Sequence, residues 1–196
     1  MPYGKLALDT IETSGNLAIA GNVSITGNLT TSGPLAVTRT SLPAGCVLQV
    51  LQTVKSDTFV GTSNGAEMSI TGLAATITPT SATSKILITA QITYACQGTT
   101  YGGWIKRNGT NIGLGDAAAS QQRVSIGMSF LPDGNQTNTF VYNYLDTPNT
   151  TSAVTYQFWT INDNNFTLYI NRSVGDLNNA TGKRGISTIT LMEIAG

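Results

Sequence analysis

From Gly15 to Thr38 the chain repeats one six-residue unit four times, restarting at Gly15, Gly21, Gly27 and Gly33. The next position holds Asn16, Asn22, Asn28 and then Pro34. Two apolar positions follow, with Leu17, Val23, Leu29 and Leu35 in the first and Ile19, Ile25, Thr31 and Val37 in the second. Six is a multiple of the two-residue period of an extended chain, so both apolar positions of a unit share a face, and Gly-Asn turns the chain between units. Each unit reads as a short strand plus a corner. A single-chain β-helix spends about three hexads on one coil, and repeat folds need about three stacked units to support themselves. Four hexads make little more than one coil. A lone copy leaves Leu17, Ile19, Val23, Ile25, Leu29, Leu35 and Val37 in water, whereas three parallel copies wound round one axis bury them all. The expectation is a homotrimeric, β-helical stem with those seven residues as its seam. The competing reading is a Gly-rich flexible linker that happens to alternate.

The segments around the stem follow from the change of pattern. Residues 1–14 hold only a short apolar patch, Tyr3, Leu6, Leu8 and Ile11, too little to fold alone; they read as an attachment segment laid against a partner, or as an ordinary frayed terminus. Residues 39–45, with Pro43, form a neck. From Cys46 to Gly196 the chain becomes short runs rich in Val, Ile, Thr, Tyr and Phe, punctuated by Gly, Asn, Asp and Pro, which is the pattern of an all-β domain. Lys85 to Ala95 puts Ile86, Ile88, Ala90, Ile92 and Tyr94 on one face and Thr89, Gln91 and Thr93 on the other, the pattern of a half-buried strand. Asn108-Gly109 between two extended arms predicts a tight hairpin. Asp116 to Gln122 is the one helix-like run and reads as a loop or a single turn. Eight to ten strands with no helices between them predict an antiparallel, jelly-roll-like β-sandwich head over residues 46–196.

Composition narrows the function. Ten basic and ten acidic residues cancel in a chain of 196, which offers no electrostatic grip on nucleic acid. No apolar run approaches the length of a membrane span, and the N-terminal residues lack the pattern of a secretory signal. The sequence contains no histidine, the commonest general base and metal ligand. Cys46 and Cys96 have no metal or redox spacing and read as small buried thiols. The acids fall mostly in turns, where Asp is expected anyway, and no calcium loop, phosphate loop or nucleophile motif is present. No catalytic residues, metal or cofactor are expected. A binding surface is the better candidate: Tyr101, Trp104, Trp159 and Tyr169, near the loops 97–103 and 175–183, could stack on sugar rings. Against that stands the ordinary use of aromatic rings as core or interface filling.

Several stretches carry a family likeness. The hexads, TITPTSATSKILI at 76–88, the IKRNGTNIGLGDA hairpin, YLDTPNTTSAVTYQFW, YINRS and the closing STITLMEI resemble fibre-like structural proteins of tailed phages, in particular cyanophages and marine phages. The resemblance implies a non-enzymatic, trimeric virion component assembled in the host cytoplasm. Its parts would be an N-terminal segment bound to other virion proteins, a β-helical shaft and a β-sandwich head that meets a host surface glycan. The shaft is shorter than that of a long tail fibre, and no separate chaperone domain follows the head. A short tail fibre is therefore the first expectation and a capsid decoration protein clasped by residues 1–14 the second. A polysaccharide-cleaving tailspike is the third.

Overall fold

The computed structural model describes residues 26, 28, 42–98, 101–128, 134–162 and 164–196. The seam residues Leu17, Ile19, Val23, Ile25, Leu29, Leu35 and Val37 and the attachment residues Tyr3, Leu6, Leu8 and Ile11 lie outside them. Everything from residue 42 onward belongs to one unit, Val37–Gly196. Its strands are β1 (Val47–Lys55), β2 (Phe59–Thr62), β3 (Met68–Ile77), β4 (Lys85–Cys96), β5 (Tyr101–Arg107), β6 (Thr110–Ile112), β7 (Ile126–Met128), β8 (Asn138–Asp146), β9 (Val154–Asn162), β10 (Thr167–Ile170) and β11 (Ser187–Ile194). No helix occurs among the described residues.

The strands form two antiparallel sheets. In the first, β1 pairs with β11, β11 and β10 pair side by side along one edge of β4, β2 extends beyond β10, and β8 lies on the other edge of β4. In the second, β3 pairs with β9 and β9 with β5, whose far edge is shared between β6 and β7. Taking β1/β2, β6/β7 and β10/β11 each as one interrupted strand leaves eight. Their order is first-eighth-third-sixth in one sheet and second-seventh-fourth-fifth in the other. That is the double Greek key of a jelly roll.

Alternation builds the core between the sheets. The inward faces of β4 (Ile86, Ile88, Ala90, Ile92, Tyr94), β9 (Val154, Tyr156, Phe158) and β11 (Ile189, Leu191) are buried together, and the Phe140 and Phe158 rings meet across the gap with centroids 5.3 Å apart. The expected hairpin closes β5 onto β6, with Asn108 and Gly109 at φ 46° and 84°, the left-handed pair that a two-residue turn requires. Residues 116–122 form no helix. Residues 67–70 and 73–78, which the Thr71-Gly72 step makes look in sequence like two strands, belong to the single β3. Its register slips between Ser69 and Ala74, so that both Ile70 and Leu73 reach the core. Residues 123–131 read in sequence as one strand. Of these, 129–131 lie outside the described residues, β7 covers Ile126–Met128, and residues 113–125 instead fold back beside β5. There Val124 packs on Gly102, where a Cβ would collide with it, and Ser125 donates its N–H to the Gly103 carbonyl at 3.0 Å.

The breaks in β1/β2 and β10/β11 are held by one residue. Asn171 is fully buried, and its carboxamide donates to the carbonyls of Lys55 and Asp57, both at 2.8 Å, and accepts from Ser187 Oγ at 2.6 Å. Ser187 Oγ in turn accepts from the Thr93 N–H at 3.0 Å, while the Asn171 N–H donates to the Thr93 carbonyl at 2.9 Å. Asn171 sits at φ 62°, a conformation that asparagine tolerates better than most residues. Asn171→Ala should lower unfolding free energy by about 3 kcal/mol or more, from buried carbonyls left unpaired plus backbone strain. Asn171→Gly should recover only the smaller, backbone part. Equal chemical denaturation curves for Asn171→Gly and the parent would overturn this assignment.

Candidate functional site

The sandwich has two unlike ends. The proximal end is where β1 begins and β11 finishes; it also carries the turns 78–84, 108–109 and 147–153. Two buried carboxylates brace it. Glu193 faces inward at the end of β11 and accepts from the Thr80 N–H at 2.6 Å, the Thr80 hydroxyl at 2.7 Å and Gln49 Nε2 at 2.6 Å. Burial alone pushes this carboxyl up, but the bonds from Thr80, Ser84 and Gln49 outweigh it and hold the pKa below the ordinary value of 4.5, because they stabilise the charged form. Asp146, at the end of β8, receives Arg107 Nη1 at 3.0 and 3.1 Å and the Tyr156 hydroxyl at 2.7 Å, tying the two sheets together. Burial, and then the bond to Asp146, push the Tyr156 hydroxyl far above its usual range.

At the distal end, the turns 63–67, 97–98, 134–137 and 164–166 meet. Asn162 is the bracket there: its N–H donates to Ser63 Oγ, and its Oδ1 accepts from the N–H groups of Asn164 and Phe166. Between β10 and β11 the chain makes an excursion, 171–186, that reaches the same end through the Gly175 N–H and Gly134 carbonyl, 2.8 Å apart. Asp176 fixes this loop between Arg172 at 3.2 Å and Arg184 at 2.7 Å, and Asp176, Leu177, Asn178, Asn179, Gly182 and Arg184 line a polar recess of about 370 Å³. This distal surface, rich in asparagine and paired charges, is the candidate functional site. Both loops singled out in the sequence, 97–103 and 175–183, have described residues at this end.

The four aromatic candidates do not converge on it. Tyr101 points into the core and is buried. Trp104 is 1% exposed on the outer side of the second sheet, and its indole N–H donates to Asn111 Oδ1 at 2.9 Å. Trp159 is its partner in register and is half-buried, with the Lys106 ammonium 4.2 Å from the ring centroid and held by Glu67. Tyr169 lies on the other sheet, half-buried, under the Arg172 guanidinium at 4.9 Å. Tyr101 fills the core, while Trp104 is buried on the outer face of its sheet, outside that core. Tyr169 adjoins the excursion 171–186, and Tyr101 stands opposite Asn162 at the distal end but is turned into the core. Cys96 is buried, its thiol donating to the Gly98 carbonyl at 3.6 Å and pushed up to about 11 by burial, while Cys46 is only half-buried rather than the core thiol expected of it; among the described residues neither forms a disulfide. No group of three or more metal-ligating side chains gathers among the described residues. Sequence reasoning missed Glu193, Asp146 and Asn171, whose partners lie up to 144 residues away.

No family model and no curated protein matches the sequence. Among solved structures, the chain is similar to that of the infectious bursal disease virus Gt strain, at 13% identity and a TM-score of 0.39, over 83% of this chain and 42% of the other. It is similar also to the VP2 subviral particle of the same virus, at 10% identity and a TM-score of 0.36, over 75% of this chain and 38% of the other. The chain spans less than half the length of these structures. The jelly-roll assignment rests on its own strand order.

Two outcomes follow from the site. Trp104→Ala should cost about 3–5 kcal/mol of stability, as truncation of a buried large ring does, whereas a loss of surface binding with unchanged melting would restore the ring as a contact residue. Because the Glu193 carboxyl titrates lower when folded, its contribution is present above the ordinary pKa and lost as pH falls through the folded value. Glu193→Gln should therefore flatten the stability profile below about pH 4.5; an unchanged acid limb in pH-dependent melting would contradict this.

Proposed function

We propose that this protein is a structural component of a virion, a short trimeric tail fibre whose jelly-roll head presents its distal loops to a host surface. One observation carries the reading. A jelly-roll unit is fed at its proximal end by a hexad repeat too short to hide its own Leu, Ile and Val side chains. The repeat supplies a reason for three copies, and the sandwich supplies a rigid platform for loops. Three identical loop clusters on one stem convert weak single contacts into firm attachment. The likeness of the hexads and of the IKRNGTNIGLGDA and STITLMEI stretches to fibre-like phage proteins supports the same reading. The distal surface suits a neutral, hydroxyl-rich ligand, because its Asn side chains offer donors and acceptors together and its Asp176 is already engaged by Arg172 and Arg184.

Sedimentation of the full chain should give three times 20.5 kDa; a 20.5 kDa species at micromolar concentration would remove the trimer and the fibre with it. In imaged particles, copies are expected at the tail. Copies spread over the shell would transfer the protein to capsid decoration, and reducing ends released from host polysaccharide would make it a cleaving tailspike.

A further inference from the structure

The outer faces of the two sheets are finished differently. On the second sheet, residues 113–125 of the same chain lie along β5, Val124 covers Gly102, and the Lys106–Glu67 ion pair sits over Trp159. Among the described residues the first sheet has no such cover over most of its area. Its register aligns three rows across β1, β11, β4 and β8: Val50–Met192–Leu87–Leu145, Gln52–Thr190–Thr89–Asn143 and Val54–Thr188–Gln91–Val141. None of these twelve residues is charged. Val50, Val54, Val141 and Leu145 are 54%, 51%, 55% and 48% exposed. The loop 171–186 approaches only the distal continuation of this face, beside Tyr169 and Thr93.

We infer that this three-row face of the β1–β11–β4–β8 sheet packs against another copy of the same chain, forming the head-to-head contact of the assembly. The inference rests on the trimeric reading above and adds which surface the heads share. Three arguments select a second copy as occupant. An uncharged face meets its own kind without repulsion, whereas a charged partner would find nothing on it to pair with. Four of the six polar members already bond within each chain: Gln52 Nε2 donates to Thr190 Oγ1 at 2.8 Å, and Thr89 Oγ1 donates to Asn143 Oδ1 at 2.9 Å. Burial against another protein keeps those bonds and so lowers the desolvation cost of the polar row. Finally, β1 is the strand that follows the neck, and the nine residues from Thr38 to Val47 span at most about 32 Å. Chains joined at the stem bring their β1 strands within that reach of the shared axis. Four strands about 4.8 Å apart, over three rows, offer roughly 400 Å², about half of what each partner contributes to a standard interface. The stem seam supplies the rest.

The test is thiol labelling of the full chain in a Cys46→Ser background, with single reporters Asn143→Cys and Gln52→Cys on the face and Thr76→Cys on the opposite sheet, each variant first checked for unchanged near-UV circular dichroism. Both face reporters should react with a maleimide about tenfold or more slowly than Thr76→Cys in a species that sediments as a trimer, and Leu145→Arg should restore their rate. Fast labelling of both in an intact trimer would overturn the head contact while leaving the trimer standing. A monomer with fast labelling would overturn both readings. Slow labelling in a monomer would replace the second copy with residues 1–41 of the same chain.

Discussion

The carboxamide of Asn171 holds the place where four strands change partners. A jelly roll needs its first and last strands to run side by side along the whole sheet, yet here each is broken, β1 from β2 and β10 from β11. The breaks lie opposite one another. Asn171 spans both, donating to backbone on one side and accepting from the start of β11 on the other, so a discontinuity that would expose several peptide groups becomes a closed set of bonds. The excursion 171–186 is the product of that arrangement. Thirteen residues lie between Asn171 and Gly185, whose N–H returns to the Asn171 carbonyl at 3.1 Å, so the sheet does not have to let go to release them.

The sandwich was legible in the sequence wherever alternation was clean. The inward set of β4 and the aromatic set of β9 were readable because every second residue is large and apolar, and the Asn108-Gly109 turn because its backbone demands are local. The β3 bulge was not readable, since two inward residues three apart imitate the end of one strand and the start of another. Strand β7 begins later than the sequence suggests for a different reason: the chain before it is recruited to cover Gly102, a tertiary use that no local pattern announces. Candidate site residues fared worse. Aromatic rings serve cores and surfaces alike, so Tyr101 and Trp104 could not be told apart from Tyr169 by type, whereas Glu193 and Asp146 gained their roles only from partners brought in by the fold.

The charges are distributed with a consistent logic. Carboxylates at the proximal end are sunk among donors from turns, and one of them ties the two sheets together; at the distal end Asp176 is divided between two guanidinium groups. The middle of the first sheet's outer face carries none. Among the described residues the ionised side chains keep off one broad area of the first sheet, while the second sheet is covered by the chain's own loop, the contrast from which the head contact is inferred.

The pairing of β1 with β11 has a mechanical side. Val47 lies opposite Ile194, and the ladder continues outward through Gly45 and Cys46, which exchange backbone bonds with Ala195. Tension applied to the chain ahead of β1, in line with the strand, would load every rung of that ladder at once instead of peeling the rungs singly. The sandwich therefore resists such a pull by shear, the stronger direction of a β-sheet.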